Sequence, residues 1–216
     1  MRNLIKLLSI LQLTKEQPLT GYISSGIKLH ETPTLAEHHY TTTLTAYFIA
    51  RKIKEGGGTI NERKLILMTM VHDLPELFGG DVSGPLNRKY PDLKEHKDKI
   101  GERAIEMLGS LMDAPTKREF KALQDELNRG DTDESVVAKI MDQMDHQLFL
   151  EHHNYKLKYN PGYQDYRPPF VRDYVFRLTE KIKDPKTKSV LDDFLTEFKT
   201  NFYDQGFQGM SVLMEE

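Results

Sequence analysis

Three observations predict an all-α chain: apolar residues recur at helical spacing along most of its length, strand-like alternation is missing throughout, and cap residues and glycines fall where helices would start and stop. The first residues, MRNLIKLLSILQL, put Leu4, Ile5, Leu7, Leu8 and Leu11 on one face of an amphipathic helix. Arg2 and Lys6 give this stretch a superficial likeness to a signal peptide. Lys6 and Gln12 interrupt it and no small-residue cleavage site follows, so a surface helix docked on the core is expected. Thr34 to Lys54 reads as a helix, with Thr34 as N-cap, Glu37 three residues later as in a capping box, and Gly56, Gly57 and Gly58 as its stop. Asn61 caps the next, which runs through Leu65, Leu67, Met68, Met70 and Val71 toward His72 and ends near Pro75 or in the Gly79-Gly80 pair. Further helices are expected over Asp92 to Leu111, Pro115 to Leu127, Asp131 to about His153, Pro168 to Ile182, and Asp184 to about Tyr203.

Between these lie two longer irregular stretches, Gly79 to Pro91 and Tyr155 to Pro169. The tyrosines of the second, Tyr155, Tyr159, Tyr163 and Tyr166, are expected to pack that connection onto helices rather than to line a pocket. There is no internal repeat or low-complexity linker, and the residues after Gly206 are expected to fray or to meet another chain.

A chain of 216 residues is one domain by length and can bury a sizeable apolar core unaided. It has no cysteine, which removes disulfides and thiolate metal sites and is compatible with the cytoplasm, the expected location. No stretch approaches the length that spans a bilayer, so no membrane partner is expected. The net charge of −3 comes from interspersed acids and bases without a broad basic face, which argues against nucleic acid as a partner.

The chemistry lies in His38 or His39, the adjacent pair His72 and Asp73, and Asp142, all on predicted helices. Imidazole and carboxylate are ligands for a borderline divalent metal, and three or four of them leave room for a reactive water. Neighbours on a regular helix diverge by about 100°, so His72 and Asp73 can meet one ion only near a helix end or among converging helices, and Pro75 fits such an end. His72, Asp73, Glu76 and Asp81 put four ionisable groups in ten residues directly after the apolar run LILMTMV. Burying them costs several kcal/mol unless they are paired or metal-bound. Helical phase does not separate His38 from His39, because their helix is apolar nearly all round, and Asp145 competes with Asp142.

The stretch HDLPELFGGDVSGPL resembles the signature of HD-domain phosphohydrolases, especially the 5'-deoxynucleotidase branch. TLAEHHYTTTLTAYFIA is similar to that branch's first metal-histidine helix and VAKIMDQMDHQ to its final metal-aspartate helix. The likeness covers about residues 20 to 150. It implies an HD-domain helical bundle around a single metal site, with a core over about 20–155 and additional C-terminal helices over 168–206 packed on it. It also implies that His38, Asp142, His72 and Asp73 are the ligands, leaving His39 packed behind and Asp145 on the helix face or supporting a ligand. Two-metal relatives insert two more histidines before the last aspartate. Here only His96 lies there, within the charged KEHKDK, so one divalent ion is expected: manganese, cobalt, magnesium, zinc or iron.

The resemblance gives Glu76, one turn from His72, the role of orienting the attacking water or shuttling its proton, and Asp81 the shaping of the sugar and water side of the pocket. Lys139 shares a helix face with Asp142 and could meet a phosphate. Tyr22 stands where relatives carry an aromatic beside the deoxyribose. The chain departs from them in having no tryptophan, and Leu19 and Ser24 stand nearby in place of an arginine. The implied reaction is hydrolysis of a nucleotide, best a 2'-deoxynucleoside 5'-monophosphate, by a protein that often forms homodimers in this family. A dNTP triphosphohydrolase is the enzyme alternative, with Lys28, Arg51, Arg88 and Lys139 as candidate extra cations. A metal-bound nucleotide sensor with little turnover is the other, and the presence of Glu76 argues against it.

Overall fold

The computed structural model describes residues 1–24, 26–80, 89–90, 92–153 and 168–198. Among them the elements are α1 (Arg2–Leu11), α2 (Thr20–Ser24), α3 (Leu35–Glu55), α4 (Glu62–Val71), α5 (Glu76–Gly79), α6 (Asp92–Gly109), α7 (Ala114–Arg129), α8 (Asp133–His152), α9 (Pro168–Thr179) and α10 (Pro185–Glu197). Short 3₁₀ turns at Gln12–Lys15 and Leu29–Glu31 join the first of them. Pairing of extended backbone among these residues is limited to one bridge between Pro18 and Thr34. No helix among them is long and apolar enough to cross a membrane.

The caps explain where the central helices begin. The Thr34 side chain accepts from the Glu37 backbone N–H while the Glu37 carboxylate accepts from Thr34 N, closing a capping box at the start of α3. Asn61 accepts from Lys64 N at α4, and Asp184 accepts from Thr187 N at α10. Gly130 ends α7 in the left-handed conformation, at φ 61°. Gly58 is required by a close approach: a Cβ there would collide with Thr187 and Ile53, where the start of α10 lies against the end of α3.

Helices α3, α4 and α8 pack on one another at the centre. Their buried faces form the main core: Ala46, Ile49 and Ile53 from α3, Leu65 and Met68 from α4, and Val137, Ile140, Met141 and Met144 from α8. Val175 and Leu178 of α9 and Leu191 and Leu195 of α10 close one side of it. Leu7, Ile10 and Leu11 of α1 rest on a second cluster of Leu74, Ile105, Leu108 and Phe120, as expected of a docked surface helix, while Leu4, Ile5 and Leu8 stay exposed.

Several boundaries differ from the sequence expectation by a few residues. Helix α4 stops at Val71, before His72, and a turn over residues 72–75 leads into the separate one-turn helix α5. Gln124 of α7, itself buried, donates to the Val71 carbonyl at 2.5 Å, which also accepts from Leu74 N at 3.2 Å, so this C-terminal acceptor is satisfied from two sides at that stop. Helix α9 ends at Thr179, short of Ile182. Tyr155, Tyr159, Tyr163, Tyr166, Asp81, Arg88 and the chain beyond residue 198 lie outside the described residues.

Candidate metal centre

The three central helices bring His38, His72, Asp73 and Asp142 together. His38 sits in the first turn of α3, where its backbone N–H bonds to the Thr34 carbonyl; His72 and Asp73 leave the end of α4; Asp142 lies midway along α8. The end of α4 resolves the divergence of adjacent side chains, because the turn aims His72 and Asp73 at one point. One ligand atom from each of the four lies within 4.8 Å of all the others. His38 Nε2 is 3.0 Å from His72 Nε2, 3.3 Å from Asp142 Oδ1 and 3.6 Å from Asp73 Oδ2. His72 Nε2 is 3.1 Å from Asp73 Oδ2 and 3.8 Å from Asp142 Oδ1.

Both imidazoles are turned by what their other nitrogen touches. The Asp145 carboxylate, 2.6 Å from His38 Nδ1, can only accept, so Nδ1 carries the proton and Nε2 faces the cluster. His72 Nδ1 donates in the same way to the Thr69 carbonyl at 2.9 Å. Asp145 thus holds the His38 ring from behind.

The electrostatics show a cluster that demands positive charge. Burial would pull the His38 imidazole down, but the carboxylates of Asp142, Asp145 and Asp73 around it outweigh that and push it up to about 12. Burial acts likewise on His72, which the charges of Asp73 and Asp142 push up to about 10. Asp73 and Asp142, raised by burial, are nonetheless held well below the usual carboxylate range, Asp73 chiefly by His72 and Asp142 chiefly by Lys139. Two carboxylates therefore retain two positive charges, which protons or one divalent ion can supply.

The residues fit such an ion. Ligand bonds of about 2.0–2.2 Å place neighbouring donor atoms roughly 2.8–3.6 Å apart at angles between octahedral and tetrahedral. The separations given above fall in or near that range. Asp142 Oδ1 is buried with no aligned hydrogen bond, as an oxygen reserved for a cation would be. Two imidazoles and two carboxylates suit several divalent ions.

His39 is buried but stands outside the set, its ring 4.9 Å from that of His72. Burial and the neighbouring His72 push it down to about 3, so it is neutral. Its side faces an apolar cavity of about 740 Å³ lined by Leu44, Tyr47, Met70, Leu108 and Phe120. None of the four clustered residues lines that cavity. His72 and Asp73 instead open into a polar pocket of about 530 Å³ that also takes in Glu76, Lys94, Lys97 and Lys139.

Glu76 begins α5 on the wall of this pocket, with Lys97 Nζ 3.4 Å from its carboxylate. Half-exposed Lys139 donates to Asp142 Oδ2 at 2.5 Å and is raised by that carboxylate's charge. Tyr22 does not line the pocket: it is buried beside Leu19, Ile27, Leu35 and Leu150, with its hydroxyl 2.5 Å from His146 Nδ1. His96 is exposed and bonds to the Asp92 carbonyl. Lys28 and Arg51 are exposed and outside the pocket, Arg51 lying beside Glu62.

Sequence reading missed three residues here. His146 lies four after Asp142, a spacing that would have put both on one helix face. Lys94 and Lys97 lay in a segment expected to be solvated.

A family profile described as an HD domain matches residues 12–171, well over half of the chain, and the chain belongs to that family. Among curated relatives it is similar to the 5'-deoxynucleotidase HDDC2 of Homo sapiens, 23% identical over 202 residues that cover 93% of this chain and 88% of the relative. It is also similar to a 5'-deoxynucleotidase of Vibrio cholerae, 28% identical over 136 residues, 62% of this chain and 66% of the relative. Among solved structures, the PH0347 protein of Pyrococcus horikoshii has the same fold at a TM-score of 0.67 and 21% identity, covering 89% of this chain and 96% of that one.

Proposed function

We propose that the protein is a divalent-metal-dependent phosphohydrolase that converts 2'-deoxynucleoside 5'-monophosphates to deoxynucleoside and phosphate. The observation that carries this reading is the convergence of His38, His72, Asp73 and Asp142, of which His72 and Asp73 line a polar pocket together with Glu76 and Lys139. The relatives named as 5'-deoxynucleotidases support the substrate class. A divalent ion in the cluster supplies Lewis-acid polarisation of a phosphoryl oxygen and a lowered pKa for water. Glu76 accepts the proton of the attacking water, held in reach by Lys97. Lys139, anchored on Asp142, offers its remaining N–H donors to the phosphate. Asp81 stays assigned to the sugar side through its place in the family pattern.

Metal-stripped protein given manganese, cobalt, magnesium, zinc or iron should release inorganic phosphate from deoxynucleoside monophosphates. Silence across that panel with an ion bound would refute the reading. Glu76→Gln should keep the ion and lose turnover; unchanged turnover would remove Glu76 from its role. Lys94 and Lys97 beside Lys139 favour one second reading, in which a longer phosphate tail is accommodated and a dNTP loses triphosphate. Phosphorus NMR of the released group separates the two.

The exposed apolar side chains Leu4, Ile5, Leu8, Tyr40 and Phe48 support a homodimer that would cover them. Light scattering on the eluting protein tests it, and a monomer at micromolar concentration would reject it. A cytoplasmic location completes the reading, and cell fractionation tests it.

A further inference from the structure

We propose that His146, with its tautomer set by Tyr22, is a positioning residue that holds Asp142 in its ligating orientation. The inference rests on the reading of the four-residue cluster as a metal site.

Asp142 carries its two oxygens in different surroundings. Oδ2 accepts from Lys139 at 2.5 Å and from Gln143 at 3.3 Å. Oδ1, the oxygen turned to the cluster, has three imidazole nitrogens around it: Nε2 of His146 at 3.2 Å, of His38 at 3.3 Å and of His72 at 3.8 Å. Once His38 and His72 direct their Nε2 lone pairs to an ion, neither can donate to Oδ1. His146 is then the one imidazole of the three with an N–H to give. The His146 contact is close but not aligned as a hydrogen bond; a carboxylate oxygen has two lone pairs, so with an ion on one of them Oδ1 can take the Nε2–H of His146 on the other.

That donation requires the proton on Nε2, which a free histidine does not guarantee. The Asp142 carboxylate, 3.2 Å from Nε2, can only accept, which leaves Nδ1 as the acceptor of the ring, and the Tyr22 hydroxyl 2.5 Å from Nδ1 donates to it. That hydrogen bond stabilises the tautomer with its proton on Nε2. Tyr22 can impose this because it is buried, with Phe149 4.6 Å away and Leu19, Ile27, Leu35 and Leu150 around it. The His146 ring also stacks on His38 at 4.8 Å and 22°, limiting how far the first ligand can tilt. The two ligands from α3 and α8 thus share one support, tied to α2 through Tyr22.

The test uses the full chain and Co²⁺, with affinity read by competition against a chromophoric chelator and coordination by the visible spectrum. His146→Leu should weaken Co²⁺ binding about 10- to 100-fold, the range for supports behind metal ligands. His146→Gln, whose amide can still donate, should recover most of it. Tyr22→Phe should lose about 3- to 10-fold and should lose nothing further in the His146→Leu background, because the hydroxyl acts through the imidazole. Unchanged affinity in both single variants would overturn the proposal, as would a Tyr22→Phe cost that persists without His146. A changed coordination number in His146→Leu would make His146 a ligand and equally overturn it. If the parent protein binds no Co²⁺, the metal-site reading itself fails; if the parent binds and the variants match it, only the role of His146 does.

Discussion

Replacing Asp145 by asparagine isolates the support behind the first ligand. Its carboxylate accepts from His38 Nδ1 at 2.6 Å, His38 has no exposed side-chain surface, and Asp145 itself is 14% exposed, so solvent does little to screen the contact. A hydrogen bond to a charged group contributes about 1.5–3 kcal/mol and a neutral one about 0.5–1.5 kcal/mol. The amide keeps the shape and can still accept, so the variant forfeits the difference, about 1–1.5 kcal/mol, or roughly a tenfold loss in metal affinity. Asp145→Ala also strands the buried Nδ1–H and should approach a hundredfold loss. Isothermal titration of metal-stripped protein with Mn²⁺ or Co²⁺ measures both, with the exposed Glu55→Gln as a variant that should change nothing. Affinity within twofold of the parent for both Asp145 variants would refute the reasoning, because His38 would then keep its orientation without the carboxylate.

Other expectations can be checked alongside. His38 and His72 are pushed to about 12 and about 10, above the ordinary value of 6.5. In the metal-free protein their contribution to stability is therefore fully present below about pH 6.5 and lost as pH rises through that higher range. Uptake of one ion at pH 7 should release about two protons, seen as acidification in weak buffer; no release would mean that the cluster is not protonated when empty. Leu65→Ala opens the main core at a fully buried position and should cost about 2–5 kcal/mol in denaturant unfolding. Thr34→Ala removes the capping box ahead of His38 and should cost about 1 kcal/mol, lowering the melting temperature by roughly 2–4 °C. An unchanged melting temperature would show that packing alone sets the start of α3.

What could be read from the sequence was local. Thr34 with Glu37, Asn61, and Asp184 act within one turn of their own position, so their roles as caps are visible in a short window. One-turn helices such as α2 and α5 are too short to show a period, and the end of α4 at Val71 is met by Gln124 from another helix, a contact no local window contains. The choice between His38 and His39 shows the same limit: helical phase left it open, and the packing of α3 against α4 and α8 decides which ring meets the cluster. His146 gains its significance from Tyr22, 124 residues away, a separation at which no sequence window signals contact. Lys97 belongs to a run of charges that looks solvated until α6 is seen beside α5.

The four clustered residues leave the same three helices that carry the main core, so an ion bound among them would be part of how the chain holds together. An ion that binds only the folded form at a hundred times its dissociation constant adds about 2.7 kcal/mol to stability. For a chain of this size that lifts the melting temperature by roughly 5–11 °C. Heat resistance then reports free metal concentration, and ranking ions by the melting temperature each confers requires no substrate. Protein made under metal starvation would be the first to unfold and to meet proteases, so the supply of ion would govern how much of this chain persists as well as how fast it works.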